Sequence, residues 1–178
     1  MYGTRRRRVD LWTNRAYLAC MPTWFLPLLI VSGTVAAMEI VAAGVHRYVM
    51  HGWGWGWHRS HHEPHEGPFE RNDLYALLFA ATSLLFFRVL AELSPLFWWV
   101  GLGAVVYGIL YTLVHDGLVH RRLPAPAVPR RGYLKRLVQA HRLHHAVRSR
   151  DGAVSFGFLY AAPVERLRRR LRDGEAVL

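Results

Sequence analysis

Three apolar runs, each about as long as the twenty helical residues that cross a 30 Å hydrocarbon layer, limit what this 178-residue chain can become. They extend from about Thr23 to Gly44, from Leu74 to Leu93 and from Pro95 to Val114. A chain of one-domain length cannot bury three such helices in a water-soluble core. An all-α bundle crossing a membrane several times is therefore expected. Only Arg88 and Glu92 interrupt the second run, and Ser94–Pro95 joins it to the third, which predicts a tight helical hairpin. The stretch Ser155–Pro163 is also apolar, but nine residues cannot span. It is expected to lie in the interface or to cap the polar region.

Charge sets the orientation. Lys plus Arg number 23 against 12 Asp plus Glu, a net charge of +11. In a soluble protein that balance would suggest nucleic acid; with three apolar runs it reads as loops facing anionic lipid or an acidic protein partner, and no nucleic-acid partner is expected. Residues 121–150 hold nine Lys or Arg, and residues 166–172 hold five Arg. The positive-inside rule then places the open end of the hairpin and the C-terminal half in the cytoplasm. Arg5 to Arg8 and Arg15 break this pattern, because a single first span would leave them outside. Either Ala16–Val45 bends back on itself, or Met21 is the true start, or the downstream charge dominates. A cleaved signal peptide fits badly, since the apolar run is too long and leads straight into histidines. The chain divides into a basic extension (1–20), a membrane domain (21–163) and a basic surface helix or tail (164–178).

All eleven histidines fall within residues 46–65 and 115–145. They form His46-x4-His51, His58-x2-His61-His62, His115-x4-His120 and His141-x2-His144-His145, the same two patterns in the same order, with His65 left over. Positions i, i+3 and i+4 share a helix face, so each triplet can converge on one point. Residues five apart lie about 140° round an ideal α-helix, which suits a helix end leaving the membrane or two histidines reaching different metals. Ten imidazoles in this pattern are too many for one ion and suit two, with about five nitrogens each or fewer plus water. The one cysteine, Cys20, excludes a thiolate site within the chain, so the donors are nitrogen and oxygen, and Zn, Cu, Fe and Ni all remain open. Asp116, Asn72, Asp73 and Glu63 are placed to accept the second N–H of ligating imidazoles, with His65 a further polar neighbour. Trp53, Trp55 and Trp57, alternating with glycine, read as an interfacial belt.

The strings HRYVMHGWGWGWHRSHHEPH (His46–His65), NDLYA (Asn72–Ala76), VHDGLVHRR (Val114–Arg122), GYLKRLVQAHRLHHAV (Gly132–Val147) and SFGFLYAAP (Ser155–Pro163) are similar to the membrane fatty acid hydroxylase superfamily, and within it to the bacterial β-carotene hydroxylases. The resemblance implies a non-haem di-iron monooxygenase that adds a hydroxyl to carbon 3 of each β-ionone ring, with O2 as co-substrate and electrons from ferredoxin and its reductase. It implies His46, His51, His58, His61, His62, His115, His120, His141, His144 and His145 as metal ligands, and it allows zinc in purified material. His65 stands where this family usually has Arg. The substrate would enter from the lipid, and Phe156, Phe158 and Tyr160 are expected to line its ring pocket. The expected location is the bacterial inner membrane, with the active site on the cytoplasmic side. Two alternatives stay open: another lipid oxygenase of the superfamily, acting on fatty acids or sterols or as a carotenoid ketolase, and a non-enzymatic metal-binding membrane protein. Transport is disfavoured because the helix centres are almost purely apolar.

Overall fold

A computed structural model describes residues 22–64, 67, 69–124 and 128–174. Among the described residues there are three long rods, three short helices and no strand. The first rod is α1 (Phe25–Gly44), which runs without a break into a π-helical segment, Val45–Trp53. After a kink at Gly52 comes α2 (Trp55–His62). The second rod begins as α3 (Asp73–Leu85), passes through a π-helical turn at Phe86–Leu90 and ends at Leu93. Ser94 caps the third, α4 (Pro95–Tyr111), accepting from the Leu96 amide at 3.4 Å, with Pro95 in the first turn where its missing N–H costs nothing. This rod also continues as a π-helix, Thr112–Val119. Two further helices follow, α5 (Gly132–His145) and α6 (Val164–Asp173).

The rods of 29, 21 and 25 residues are the three expected spans, and each is long and apolar enough to cross a membrane. Their surfaces agree with that role. Ile40, Leu77 and Leu84 are each more than 60% exposed, an apolar display that water would penalise and lipid would not. Small residues bring the rods together. A side-chain carbon at Gly103 would collide with Thr34 of α1, and those at Gly101 and Gly108 would press on Phe87 and Phe79 of the second rod. Two spans extend beyond the expected limits at Gly44 and Val114, to Trp53 and Val119, because π winding carries the helix on through the histidines. No bend interrupts α1 between Phe25 and Gly44, so among the alternatives for the first span a bend over this stretch is corrected. Arg5 to Arg8, Arg15, Cys20 and Met21 lie outside the described residues.

The packed core sits at one end of the rods. Leu137 and Ala140 of α5, Val154 and Ala161 of the strap that connects it to α6 (residues 146–163), and Leu167 of α6 are buried together, with Val114 and Leu143 against them. The Arg-rich stretch is thus a docked helix: Val164 and Leu167 are buried against the core while Arg166, Arg168, Arg169 and Arg172 are exposed.

Candidate metal centre

Both His-x4-His pairs belong to π-helical turns. His46 and His51 lie within Val45–Trp53, and His115 begins the turn that His120 closes, with the His120 amide donating to the His115 carbonyl at 2.9 Å. Bonding from i to i+5 widens the turn. Residues five apart, splayed in an α-helix, then stack on one side. The spacing of five is a π-helical spacing, which an α-helical reading could not convert into a shared face.

The imidazoles form two groups. His46, His51, His58, His62 and His144 place one nitrogen each within 4.8 Å of one another, and His61, His120, His141 and His145 do the same. His115 joins the second group through His61, Nε2 to Nε2 at 3.0 Å. Each triplet is therefore divided, contrary to the expectation that it converges on one point. His58 and His62 of α2 face the first group and His61 the second; His141 and His145 of α5 face the second and His144 the first. Helix geometry gives the reason. Residues four apart differ by about 40°, whereas the residue at i+3 lies about 60° to the other side. The two helices exchange one histidine each, so each group takes a His-x4-His pair, an i,i+4 pair and one crossing imidazole.

The tautomers follow from the partners. His46 Nδ1 lies 2.9 Å from the Phe156 carbonyl, His51 Nδ1 2.7 Å from that of Arg150, His62 Nδ1 2.8 Å from that of Val147 and His144 Nδ1 3.0 Å from that of Val154. His58 Nδ1 meets Asn72 Oδ1 at 2.7 Å, His61 Nδ1 meets Glu70 Oε1 at 2.6 Å and His115 Nδ1 meets Asp116 Oδ1 at 2.8 Å. Oxygen here can only accept, so Nδ1 carries the proton and Nε2 a lone pair. Yet the Nε2 atoms so bared face one another, His46–His58 and His51–His144 at 3.1 Å, His58–His62 at 3.3 Å and His61–His115 at 3.0 Å, and the Nε2 atoms of His120 and His145 approach that of His141 at 3.2 and 2.9 Å. Lone pairs so placed repel unless a cation lies between them. Nitrogens about 2.1 Å from a shared ion and at right angles would sit about 3.0 Å apart, within this range. The residues fit two metal ions.

Burial prepares them. Desolvation, with neighbouring imidazoles adding to it, lowers His58 to about 3, His120 to about 3 and His145 to about 2. His62 falls to about 4 and His61, His141 and His144 well below their ordinary value, again mainly through burial. All seven are neutral at pH 7, so a metal has no proton to displace.

The remaining expected residues are placed as follows. Phe156 and Phe158 are buried, their ring centroids 5.5 and 5.0 Å from that of His46, whereas Tyr160 is 65% exposed. Asp73 holds Arg122 at 2.7 and 2.8 Å and accepts from the Glu70 amide at 3.0 Å. Glu63 pairs with Arg59 at the surface, and His65 lies outside the described residues. Trp55 packs on His51 at 5.1 Å while Trp53 is 86% exposed. Residues that sequence reasoning missed include Glu70, Arg122 and Glu39. The Glu39 Oε1 atom accepts the amides of Phe158, Leu159 and Tyr160 at 2.8 to 3.0 Å, and Oε2 accepts the Tyr107 hydroxyl at 2.9 Å. A carboxylate inside an apolar run was the signal for it; nothing in the spacing marks Glu70. A polar depression of about 500 Å³, bordered by His61, His120, His145 and Arg122, opens beside the second group.

A family model described as fatty acid hydroxylase matches residues 30–164. The chain is 58% identical over 151 residues to a β-carotene hydroxylase of Pantoea ananas, covering 84% of this chain and 86% of that one. It is 55% identical to a β-carotene hydroxylase of Paracoccus sp. (strain PC1), covering 81% and 90%. A chloroplastic β-carotene 3-hydroxylase 1 of Arabidopsis thaliana is 41% identical, over 75% of this chain and 43% of that one. No solved structure gives a significant match.

Proposed function

The chain belongs to the fatty acid hydroxylase family, and from that premise we propose that it is a β-carotene 3-hydroxylase, converting β-carotene through β-cryptoxanthin to zeaxanthin. The observation that carries the chemistry is the pair of imidazole groups with converging Nε2 lone pairs. The substrate follows from relatives named for it at 58% and 55% identity over most of the chain.

In this reading the ten histidines hold two irons, the hydroxylase domain is residues 21–163, and ferredoxin with its reductase supplies electrons. One oxygen atom of O2 enters a ring C–H bond; the other leaves as water, consuming two electrons and two protons. When bound, a redox-active metal pair supplies the oxidising power that an unactivated C–H bond demands. The chain's own residues supply position and dryness. Backbone carbonyls of the strap and the side chains of Asn72, Glu70 and Asp116 fix the imidazole planes. Phe156 and Phe158 exclude water from the apolar side; Tyr160 lies at the edge by which the ring enters from lipid. The depression beside the second group gives the aqueous approach on the cytoplasmic side of the inner membrane. The basic surface of residues 121–150 matches an acidic electron donor.

The test is pigment chromatography of β-carotene-producing bacteria expressing the chain, beside a His61→Ala control. Zeaxanthin and β-cryptoxanthin are expected only with the unaltered protein. Unchanged β-carotene, with the protein inserted and a donor present, would sink the assignment.

A further inference from the structure

The two groups mirror each other in origin but differ in what stands behind the imidazoles. In the first, all five Nδ1 partners are neutral: the carbonyls of Phe156, Arg150, Val147 and Val154, and the Asn72 amide oxygen. In the second, two partners are carboxylates. His61 bonds Glu70 at 2.6 Å, with side chains only 3% and 1% exposed, and His115 bonds Asp116 at 2.8 Å.

Arg122 ties these acids together. Its guanidinium reaches Asp73 at 2.7 Å, Glu70 at 3.4 Å and Asp116 at 3.9 Å. Two of the second group's imidazoles thus have a carboxylate directly behind them, and one guanidinium holds both acids in place. Asp151, next to the Arg150 whose carbonyl meets His51, is exposed and paired with the Arg150 guanidinium at 3.2 Å.

Resting on the di-metal reading above, we propose that the two metal positions are unequal by construction, the position around His61 holding its ion more tightly than the position around His58. A carboxylate that accepts the Nδ1 proton makes the imidazole a stronger donor at Nε2 and offsets the charge of the cation. Partners of this kind are worth about 10–100-fold in metal affinity. The neutral acceptors of the first group orient the rings without adding charge.

Full-length protein in detergent, loaded with two equivalents of cobalt(II), is equilibrated against increasing EDTA, and the cobalt retained per chain is counted. One ion is expected to leave at an EDTA concentration about 10–100-fold lower than the other. Glu70→Gln should shift only the later release, towards the earlier one. Asn72→Asp, which puts a carboxylate behind His58, should shift only the earlier release, towards the later one, and this arm stands even if Glu70→Gln does not fold. Release of both ions together from the unaltered protein overturns the inference and leaves the di-metal reading intact, as does a gap that Asn72→Asp leaves unchanged. Fewer than two ions bound at saturation overturns both.

Discussion

Glu39 shows how one ionisable side chain in an apolar helix can organise parts distant in sequence. It gathers three consecutive amides of the strap, and Gly157 lies so close that a side-chain carbon there would meet its Oε1 at 2.6 Å. That strap presents the Val154 and Phe156 carbonyls to His144 and His46. Glu39→Ala strands these donors, at about 1–3 kcal/mol for each that stays buried. It is expected to lower hydroxylation at least tenfold and to expose residues 154–160 to proteolysis. Glu39→Gln keeps an oxygen for the amides and should restore most of the product. Proton linkage gives a second expectation. The seven imidazoles outside the spans have native values below the ordinary 6.5. An unfolded chain therefore binds more protons below that pH, and stability is fully present above pH 6.5 and lost as pH falls towards 3. Metal-depleted protein should melt at a lower temperature at pH 5 than at pH 7, and a melting temperature unchanged or higher at pH 5 contradicts the burial. Histidines stood out in the sequence because they cluster; Glu39 was marked only by its charge inside an apolar run, and Glu70 by nothing, because each acts through partners separated from it along the chain.

Helix type decides the register of the centre. The repeated spacing of five is useless to an α-helix and apt for a π-helix, and both His-x4-His pairs use it. Inserting one alanine after Val49 would widen the first pair to a spacing of six, about 120° apart in an α-helix, and turn His51 away. Hydroxylated product is then expected to fall to background while the spans still insert, as measured by membrane fractionation and pigment analysis. The hairpin tip at Ser94–Pro95 and the three spans were legible, since length, apolarity and a turn signal are local properties. The winding of the span ends was not, because the preference for i→i+5 bonding is set by the neighbours that each histidine meets. The division of each triplet between two groups was hidden for a related reason: three residues can share a helix face and still point to either side of it. The strap was legible only as something too short to span, and its carbonyl partners lie 110 residues away in the case of His46.

The whole molecule joins a lipid-facing bundle to a compact polar end. The spans expose their apolar side chains, while the packed core and all ten of the clustered imidazoles lie where the rods converge with α2, α5 and the strap. The exchange of His61 and His144 between groups locks α2 to α5, so neither group is complete without both helices. The central claim is that this end holds two metal ions, one in each group. The most direct test is elemental analysis of purified full-length protein, alone and as the crossing variants His144→Ala and His61→Ala. Two transition-metal ions per chain are expected in the unaltered protein and about one in each variant, the first group losing its ion in His144→Ala and the second in His61→Ala. A single ion per chain in the unaltered protein, or two ions retained in both variants, would contradict the claim.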